Sequence, residues 1–361
     1  MKFKSPLILF FLIVGVLVLS GCAGGGQASA TGWPGLSADE TTAYLAYNRH
    51  VYAVDLTNGL EKWRFPTTQD NKRSFYAMPT LTSDGQLLAG SYEHILFSLD
   101  PATGMEKWSF VGADNRYIAA PLASEQDIFA PNANNELYAL DLQGNQRWAF
   151  TTTGPLWATP IIDPECKCIY LPSMDHKLYS IDAQTGELNW QTESLNGSLV
   201  GTPAYASGVL YTGTFANELI ALNANNGQII WKAATSDWVW GGPIVQDGIV
   251  YFGILDGTFY ALDASTGSVK WQQKFDGPIT QSPLVTLDKI YFTTEAGSVY
   301  ALNLNGTTLW TKNLGNKLYT TPVQAGDLIL VAQAHTGVDE FLVAFDTNGN
   351  QKWVFIPEAK K

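Results

Sequence analysis

Aspartate recurs along the sequence in a series whose carboxylates, if brought together, could supply general acid and base groups. The series runs through Asp55, Asp100, Asp141, Asp182, Asp263 and Asp346, and Asn223 and Asn303 complete it. Each member is followed three or four positions later by glycine. Asp or Asn at the start of a turn accepts hydrogen bonds from the backbone two residues on, and the glycine supplies a positive φ. The series therefore predicts structural turns rather than a catalytic row.

Histidine and cysteine are too few and too dispersed to predict a metal site. The four histidines, His50, His94, His176 and His335, lack the spacing of zinc ligands. The sequence contains no nucleophile elbow, no His-Glu-x-x-His motif and no phosphate loop. Cys166 and Cys168 would lie on one face of a strand about 6.6 Å apart, near the upper limit for a disulfide. We predict no catalytic residue and no metal ligand, and for this cysteine pair either a local disulfide or two buried thiols.

The composition is that of a folded, acidic protein. Of its 361 residues, 21 are Lys or Arg and 33 are Asp or Glu, which gives a formal net charge of −12. There is no basic run to neutralise a phosphate backbone, so we expect no nucleic-acid partner. Charged residues make up only 15% and aromatic residues 12%, which argues against disorder and against a coiled coil.

The amino terminus has the pattern of an export signal. After a basic start, an apolar run of 13 residues extends from Leu7 to Leu19, which is short for a membrane span. The segment Leu19-Ser20-Gly21-Cys22 resembles the cleavage box of bacterial lipoproteins, whose cysteine is lipidated. We therefore expect a signal peptide over residues 1–21, and a lipidated Cys22 with a flexible tether over residues 22–32. The alternative is an ordinary signal peptide with a chance cysteine.

An eightfold repeat dominates the rest of the chain. One tryptophan recurs every 39 to 45 residues, at Trp63, Trp108, Trp148, Trp190, Trp231, Trp271, Trp310 and Trp353. A proline alternates with it, from Pro34 to Pro322. Each unit holds four short apolar or aromatic stretches, A to D, separated by turn residues. We predict an all-β fold over residues 33–361: an eight-bladed β-propeller of four-stranded antiparallel blades, in which each of these Trp rings docks against an adjacent blade.

The repeat unit carries a family resemblance. The pattern Ala-x-Asp-x-x-Thr-Gly-x-x-x-Trp, as in Ala261 to Trp271, resembles the docking repeat of pyrroloquinoline quinone (PQQ)-type propellers and covers residues 33–355. Eight such repeats behind a lipoprotein signal resemble the BamB-like lipoprotein family of outer-membrane protein assembly. The resemblance implies a non-enzymatic scaffold for other envelope proteins, held extracytoplasmically by its lipid anchor. Ala23 after the lipidated cysteine favours the periplasmic face of the outer membrane in a bacterium with two membranes. We expect a monomeric propeller.

Chain direction assigns several unusual side chains to one face. In an antiparallel blade the D–A connections and the B–C turns lie at the same end. Three positions before the repeat proline, large aromatic residues precede blades 2, 4, 6 and 8, namely Tyr76, Trp157, Trp240 and Tyr319. Near the axis, these rings would surround the mouth of the channel. They would either fill a wide hub or form a stacking platform for a flat ligand or a partner.

Cationic residues map to the same face on neighbouring blades. Arg49, Arg73 and Arg116, with an enlarged B–C turn at His335, would form a binding patch across blades eight, one, two and three. The alternative is a solvated rim of loops. Little precedes Trp33 except the tether, and unit eight has its own strand D. We therefore infer that the ring closes mainly by packing of blade 8 against blade 1.

Two other functions stay open. A PQQ-dependent dehydrogenase needs an aromatic floor, cations, a bound calcium ion and an Asp base. Trp157, Trp240 and Arg116 could contribute, but the adjacent cysteine pair of the alcohol dehydrogenases of this family is missing, and neither calcium ligands nor the base can be assigned. We expect no cofactor, and PQQ with calcium belongs to this alternative alone. The third interpretation is a propeller that binds a carbohydrate or small ligand on its aromatic face.

Overall fold

The computed structural model describes residues 33–68, 70–163, 165–334 and 341–357. Within these residues every helix-or-strand element is a strand, and strands β1 to β32 form eight four-stranded antiparallel sheets. The predicted eight-bladed β-propeller is confirmed. The signal peptide, Cys22, the tether and the turn with His335 lie outside the described residues.

The first four blades contain strands β1 to β16. Their bounds in chain order are β1 (Gly35–Ala38), β2 (Thr42–Tyr47), β3 (His50–Asp55), β4 (Glu61–Phe65), β5 (Thr80–Leu81), β6 (Leu87–Gly90), β7 (Leu96–Leu99), β8 (Glu106–Phe110), β9 (Leu122–Ala123), β10 (Asp127–Pro131), β11 (Glu136–Asp141), β12 (Gln146–Thr151), β13 (Ile161–Asp163), β14 (Cys168–Pro172), β15 (Leu178–Asp182) and β16 (Leu188–Gln191).

The last four blades contain strands β17 to β32. Their bounds are β17 (Ala204–Ala206), β18 (Val209–Thr214), β19 (Glu218–Asn223), β20 (Ile229–Ala234), β21 (Ile244–Gln246), β22 (Ile249–Gly253), β23 (Thr258–Asp263), β24 (Val269–Lys274), β25 (Leu284–Val285), β26 (Lys289–Thr293), β27 (Ser298–Asn303), β28 (Thr308–Asn313), β29 (Val323–Ala325), β30 (Leu328–Ala332), β31 (Leu342–Asp346) and β32 (Gln351–Phe355).

Each blade is a meander made from one continuous stretch of chain. In every sheet the strands pair in the order A–B–C–D, and blade 8 supplies all four of its own strands. The middle strands are sandwiched between neighbouring blades, so β22 and β23 are buried on both faces. This explains why Val250-Tyr251-Phe252 is a continuous apolar run rather than an alternating one. Strand D is outermost. In β24 only Trp271 is partly buried, and the other side chains of the strand are exposed.

Each docking tryptophan joins its blade to the next. The indole N–H of Trp63 donates to the carbonyl of Pro101, in the C–D turn of blade 2, at 2.9 Å. The same bond recurs at the other junctions, with distances of 2.8 to 3.3 Å. Trp353 of blade 8 donates to Leu56 of blade 1 at 2.8 Å. The ring therefore closes by blade-to-blade packing through the same contact as every other junction.

Small residues make room for these indole rings. The residue directly across from each docking tryptophan on strand C is Ala or Ser, as with Ala261 opposite Trp271 and Ser180 opposite Trp190. The glycine of each C–D turn lies against the ring of the preceding blade, and a Cβ added at Gly104 would come within 2.5 Å of Trp63. The repeat therefore keeps Ala and Gly at these positions because the indole occupies the space.

The carboxylates of the C–D turns accept hydrogen bonds from backbone N–H groups of the same turns. Asp182 Oδ1 accepts the backbone N–H groups of Gln184 at 2.9 Å and Thr185 at 2.8 Å. The bond from the Thr185 N–H is the main reason why the pKa of Asp182 is lowered. The Asn223 side chain replaces the carboxylate in the same role. The structural interpretation of the series is therefore confirmed.

The described residues contain no helix with the length and apolar character of a membrane span.

Candidate binding face

The D–A connections and the B–C turns meet at one end of the propeller, which we call the D–A face. In the first connection, the Phe75 N–H donates to the Asn48 carbonyl in the B–C turn of blade 1 at 2.7 Å, and the Tyr92 N–H of blade 2 donates to Ser74 at 2.9 Å. In the same way, the Thr235 N–H donates to the carbonyl of Asn217, in the B–C turn of blade 5, at 2.8 Å. The carboxylate-bearing C–D turns lie at the opposite end.

Trp33 lies between two of the aromatic residues predicted for this face. Its ring stacks on Tyr319, with centroids 5.1 Å apart and an interplanar angle of 6°. It also contacts Trp240, at 5.2 Å and a tilt of 52°. These two partners precede blades 8 and 6, which are not neighbours in the ring. Trp33 therefore bridges two D–A connections that are separated by blade 7.

Two further rings extend this cluster outward. Phe215, in the B–C turn of blade 5, lies 4.9 Å from Trp240 and stacks on Trp238 at 4.5 Å. We call Trp238, Phe215, Trp240, Trp33 and Tyr319 the aromatic track. The sequence predictions named only Trp240 and Tyr319. Trp238 and Phe215 carried a usable signal, because both lie on segments that chain direction assigns to the D–A face.

The tryptophans of the D–A face differ from the docking tryptophans in their hydrogen bonds. The chain has 12 tryptophans, and the eight docking residues each donate to a carbonyl of the next blade. The other four are Trp33, Trp157, Trp238 and Trp240. For their indole N–H groups, the described part of the chain supplies no acceptor. A half-exposed indole whose N–H is free can donate to a bound molecule.

Carboxylates lie beside both ends of the track. At one end, Asp256 accepts the hydroxyl of Ser236 at 2.5 Å, next to Trp238. Partial burial acts to raise the pKa of Asp256, but hydrogen bonds from Ser236, Thr258 and Lys274 outweigh it and lower the pKa to about 2. At the other end, Glu295 accepts the Tyr319 hydroxyl at 3.3 Å. Leu255, next to Asp256, donates its N–H to the Trp238 carbonyl at 3.1 Å, so both carboxylates lie on segments that contact the end residues of the track.

The other two predicted rings lie apart from the track. Tyr76 contacts Tyr92 at 4.9 Å and Tyr47 at 6.3 Å, and Tyr47 in turn contacts Phe341. Trp157 is partly buried and makes no ring contact with another described residue. Tyr76 and Trp157 therefore make no ring contact with the track, whereas Trp240 and Tyr319 are joined by Trp33.

The three predicted arginines have different environments. Arg49 donates to Asn71 at 2.8 Å, and Arg73 pairs with Asp70 at 3.3 Å and lies over the Phe97 ring at 5.0 Å. Both therefore brace the connection between blades 1 and 2. Arg116 is exposed, and its guanidinium lies 5.4 Å above the ring of Tyr92. Among these arginines, Arg116 is the one most open to a partner.

The histidines and cysteines that the structure describes form no candidate metal site. His50 is buried, and its Nδ1 lies 2.9 Å from the Pro66 carbonyl. Among the described residues, no group of three or more His, Cys, Asp or Glu side chains could hold a metal ion. Cys166, in the A–B turn of blade 4, and Cys168, the first residue of strand B, form a disulfide with Cα atoms 5.2 Å apart. Of the two states left open by the sequence, the structure contains the disulfide.

Comparison with protein families identifies a match along most of the propeller. The family model described as outer membrane protein assembly factor BamB matches three overlapping segments, residues 47–198, 174–304 and 277–359. Among curated proteins, the tetrathionate hydrolase of Acidithiobacillus ferrooxidans is 29% identical over 120 residues. That match spans 32% of this chain but only 23% of the hydrolase.

Two solved structures are similar in fold. BamB from Moraxella catarrhalis superposes with a TM-score of 0.70 and 18% identity, over 83% of this chain and 90% of that one. The computationally designed protein Ika8 superposes with a TM-score of 0.73 and 13% identity, over 91% of this chain and 97% of the design. At such identities the similarity concerns the fold alone.

Proposed function

Because the chain belongs to the family of the outer membrane protein assembly factor BamB, we propose that it is a non-enzymatic scaffold that binds other envelope proteins. The observation that carries this proposal is the family match, which extends over residues 47–359 in three overlapping segments. The same architecture also occurs in a designed protein, so the fold by itself implies no chemistry.

The repeated carboxylates are consistent with a scaffold. Each Asp that starts a C–D turn accepts hydrogen bonds from backbone N–H groups and from a hydroxyl or amide side chain of the turn. Asp263 accepts from Ser265 and Thr266, and Asp141 from Gln143 and Asn145. A carboxylate held ionised in this way is a poor general acid or base at neutral pH. The most regular series of ionisable groups in the chain thus has a structural task.

The proposed anchor is the lipid on Cys22, which would hold the propeller on the extracytoplasmic side of the membrane. In a bacterium with two membranes this would be the periplasmic face of the outer membrane. A Cys22→Ala variant is expected to lose fatty-acid labelling and to move from the membrane fraction to the soluble fraction. Retention of both properties would contradict the lipid anchor, but it would not contradict the proposal that the propeller binds other proteins.

We place the partner site on the D–A face of blades 1 to 3. Arg116 is exposed there above Tyr92, while the braced connection of Arg49 and Arg73 adjoins it. Arginine and tyrosine are, with tryptophan, the side chains most enriched at the centres of protein interfaces. His94, an exposed residue of the neighbouring B–C turn, offers a position for a probe.

The test is site-specific photo-crosslinking in intact membranes. A crosslinker at His94 is expected to give a discrete adduct with one envelope protein, and the Arg116→Glu variant should reduce it severalfold. A crosslinker at Gln184, exposed at the opposite end, and the Lys107→Glu charge reversal on the outer strand of blade 2 are the matched controls. Equal adducts from residues 94 and 184, or no effect of Arg116→Glu, would rule out this site.

A titration with PQQ and Ca²⁺ tests the alternative enzyme. The scaffold proposal expects no saturable quenching of tryptophan fluorescence at tens of micromolar and no dye-linked dehydrogenase activity. Saturable quenching with turnover would overturn the scaffold and assign a cofactor site to the aromatic residues of the D–A face.

A further inference from the structure

We propose that the aromatic track binds a neutral glycan chain. The rings would stack on the apolar faces of successive sugars, and the free indole N–H groups and the flanking carboxylates would bond their hydroxyls. This inference goes beyond the protein scaffold. It uses the D–A face of blades 5 to 8 and Trp33, which precedes blade 1, rather than the arginine-bearing connections of blades 1 to 3.

The track is an exposed, continuous surface of rings. Trp238 is 41% exposed, and the other four rings are partly exposed. Neighbouring centroids lie 4.5, 4.9, 5.2 and 5.1 Å apart from Trp238 through to Tyr319. A contiguous apolar surface of this kind, with polar groups at its rim, is typical of a binding site.

The hydrogen-bonding groups on the track match a ligand with both donors and acceptors. Trp33, Trp238 and Trp240 present indole N–H groups that no described residue accepts. Asp256 and Glu295 present carboxylate oxygens at the two ends. Sugar hydroxyls donate and accept, so they can satisfy both sets at once.

The charges beside the track favour a neutral chain. Lys274 pairs with Asp256 at 3.2 Å, and Lys317 pairs with Glu295 at 3.4 Å. Both cations are therefore neutralised, and the formal charge of the whole chain is −12, which disfavours anionic polymers. The carbonyl groups of a proline-rich peptide could accept hydrogen bonds from the indole N–H groups. Its proline nitrogens carry no hydrogen, however, so they could not donate to the carboxylates. The donor and acceptor pattern thus favours the glycan.

The test is calorimetric titration of the full chain in detergent with cellohexaose and with chitohexaose. We expect saturable binding of at least one of these oligosaccharides. Trp238→Ala and Trp33→Ala should each weaken it by about tenfold. Trp238→Phe, which keeps a ring but removes the N–H, should lose less. Tyr205→Ala removes a ring of similar exposure, 36%, at the opposite end and should leave binding unchanged.

Three results would overturn the proposal. One is the absence of saturable binding of both oligosaccharides by protein whose thermal unfolding shows a normal fold. Another is binding that Trp238→Ala and Trp33→Ala leave intact. The third is binding of a decaproline peptide but of neither oligosaccharide, which would identify a peptide site instead. None of these results depends on the crosslinking at His94, so the two proposals can fail separately.

Discussion

Tryptophan has two roles in this protein, and the hydrogen bond of its indole N–H distinguishes them. Trp231 donates to the Ala264 carbonyl of the next blade at 3.0 Å, across from the small side chain of Ala221. Trp238, only seven residues later, has no such acceptor among the described residues and is 41% exposed. The first ring stabilises a junction between blades, and the second presents a surface.

The pKa of an aspartate also depends on its surroundings, and the lowered pKa of Asp256 predicts how the stability of the fold changes with pH. Burial acts to raise its pKa, but hydrogen bonds from Ser236 and Thr258, with Lys274, lower it from 3.8 to about 2 in the folded protein. Because the folded pKa lies below the unfolded value, the ionised group stabilises the fold above about pH 4. That contribution is lost as the pH falls from 3.8 towards 2.

Asp256→Asn is therefore expected to lower the free energy of unfolding by about 1 kcal/mol at pH 6, since the side chain is partly solvated, and by less at pH 2.5. Urea denaturation at several pH values measures both. Asp288→Asn, at a side chain that is 73% exposed, is the control and should retain the acid-induced loss of the wild type. A cost of Asp256→Asn that does not change with pH would contradict the prediction.

At the scale of the element, the C–D turn and the Trp ring of the preceding blade form one unit. In blade 4, Asp182 caps the turn and Gly186 follows with a φ of 75°. A Cβ at Gly186 would lie 2.7 Å from the ring of Trp148 in blade 3. The glycine is thus needed for the turn conformation and for the contact between blades.

Two glycines separate these effects. Gly248, in the A–B turn of blade 6, has a φ of 73°, but a Cβ there would meet nothing within 4 Å. Gly248→Ala should cost about 1 kcal/mol for the left-handed conformation alone. Gly186→Ala should cost a further ~1–3 kcal/mol, because the Trp148 ring must move. Equal costs in urea denaturation would show that the ring contact adds nothing.

At the scale of the whole molecule, the described residues close the ring through the same kind of contact as at its other junctions. Blade 8 meets blade 1 through Trp353 and Leu56, and the Thr320 hydroxyl also donates to Pro34 at 3.1 Å. Side chains of both blades share one core cluster, which includes Leu45, Leu330 and Phe355. A closed ring of like junctions should unfold as one cooperative unit.

Trp353→Ala and Trp231→Ala are accordingly expected to cost the same, about 3–5 kcal/mol each. Both variants should keep a single unfolding transition by circular dichroism and fluorescence. A much smaller loss for Trp353→Ala, or a separate early transition of blades 1 and 8, would mean that the ring is weakest where the two ends of the chain meet.

The sequence predicted which segments lie on the D–A face, but it did not predict which side chains of different segments come into contact there. Chain direction assigned Trp240 and Tyr319 to the D–A face because an antiparallel blade alternates its ends. Nothing in the sequence indicated that Trp33 lies between them, or that Arg49 and Arg73 brace a connection while Arg116 stays exposed. Those outcomes depend on distances between residues far apart in the chain.

The number of blades, their four strands, the docking of the Trp rings between blades and the role of the turn carboxylates could all be predicted from the amino-acid sequence. These features follow from local rules: the period of apolar residues, turn chemistry and the recurrence of Trp with Gly. The bond between Cys166 and Cys168 and the track of five rings became known only from the folded structure. Both depend on where the bending of a turn or the closed ring of blades brings side chains together, and no local sequence pattern specifies those positions.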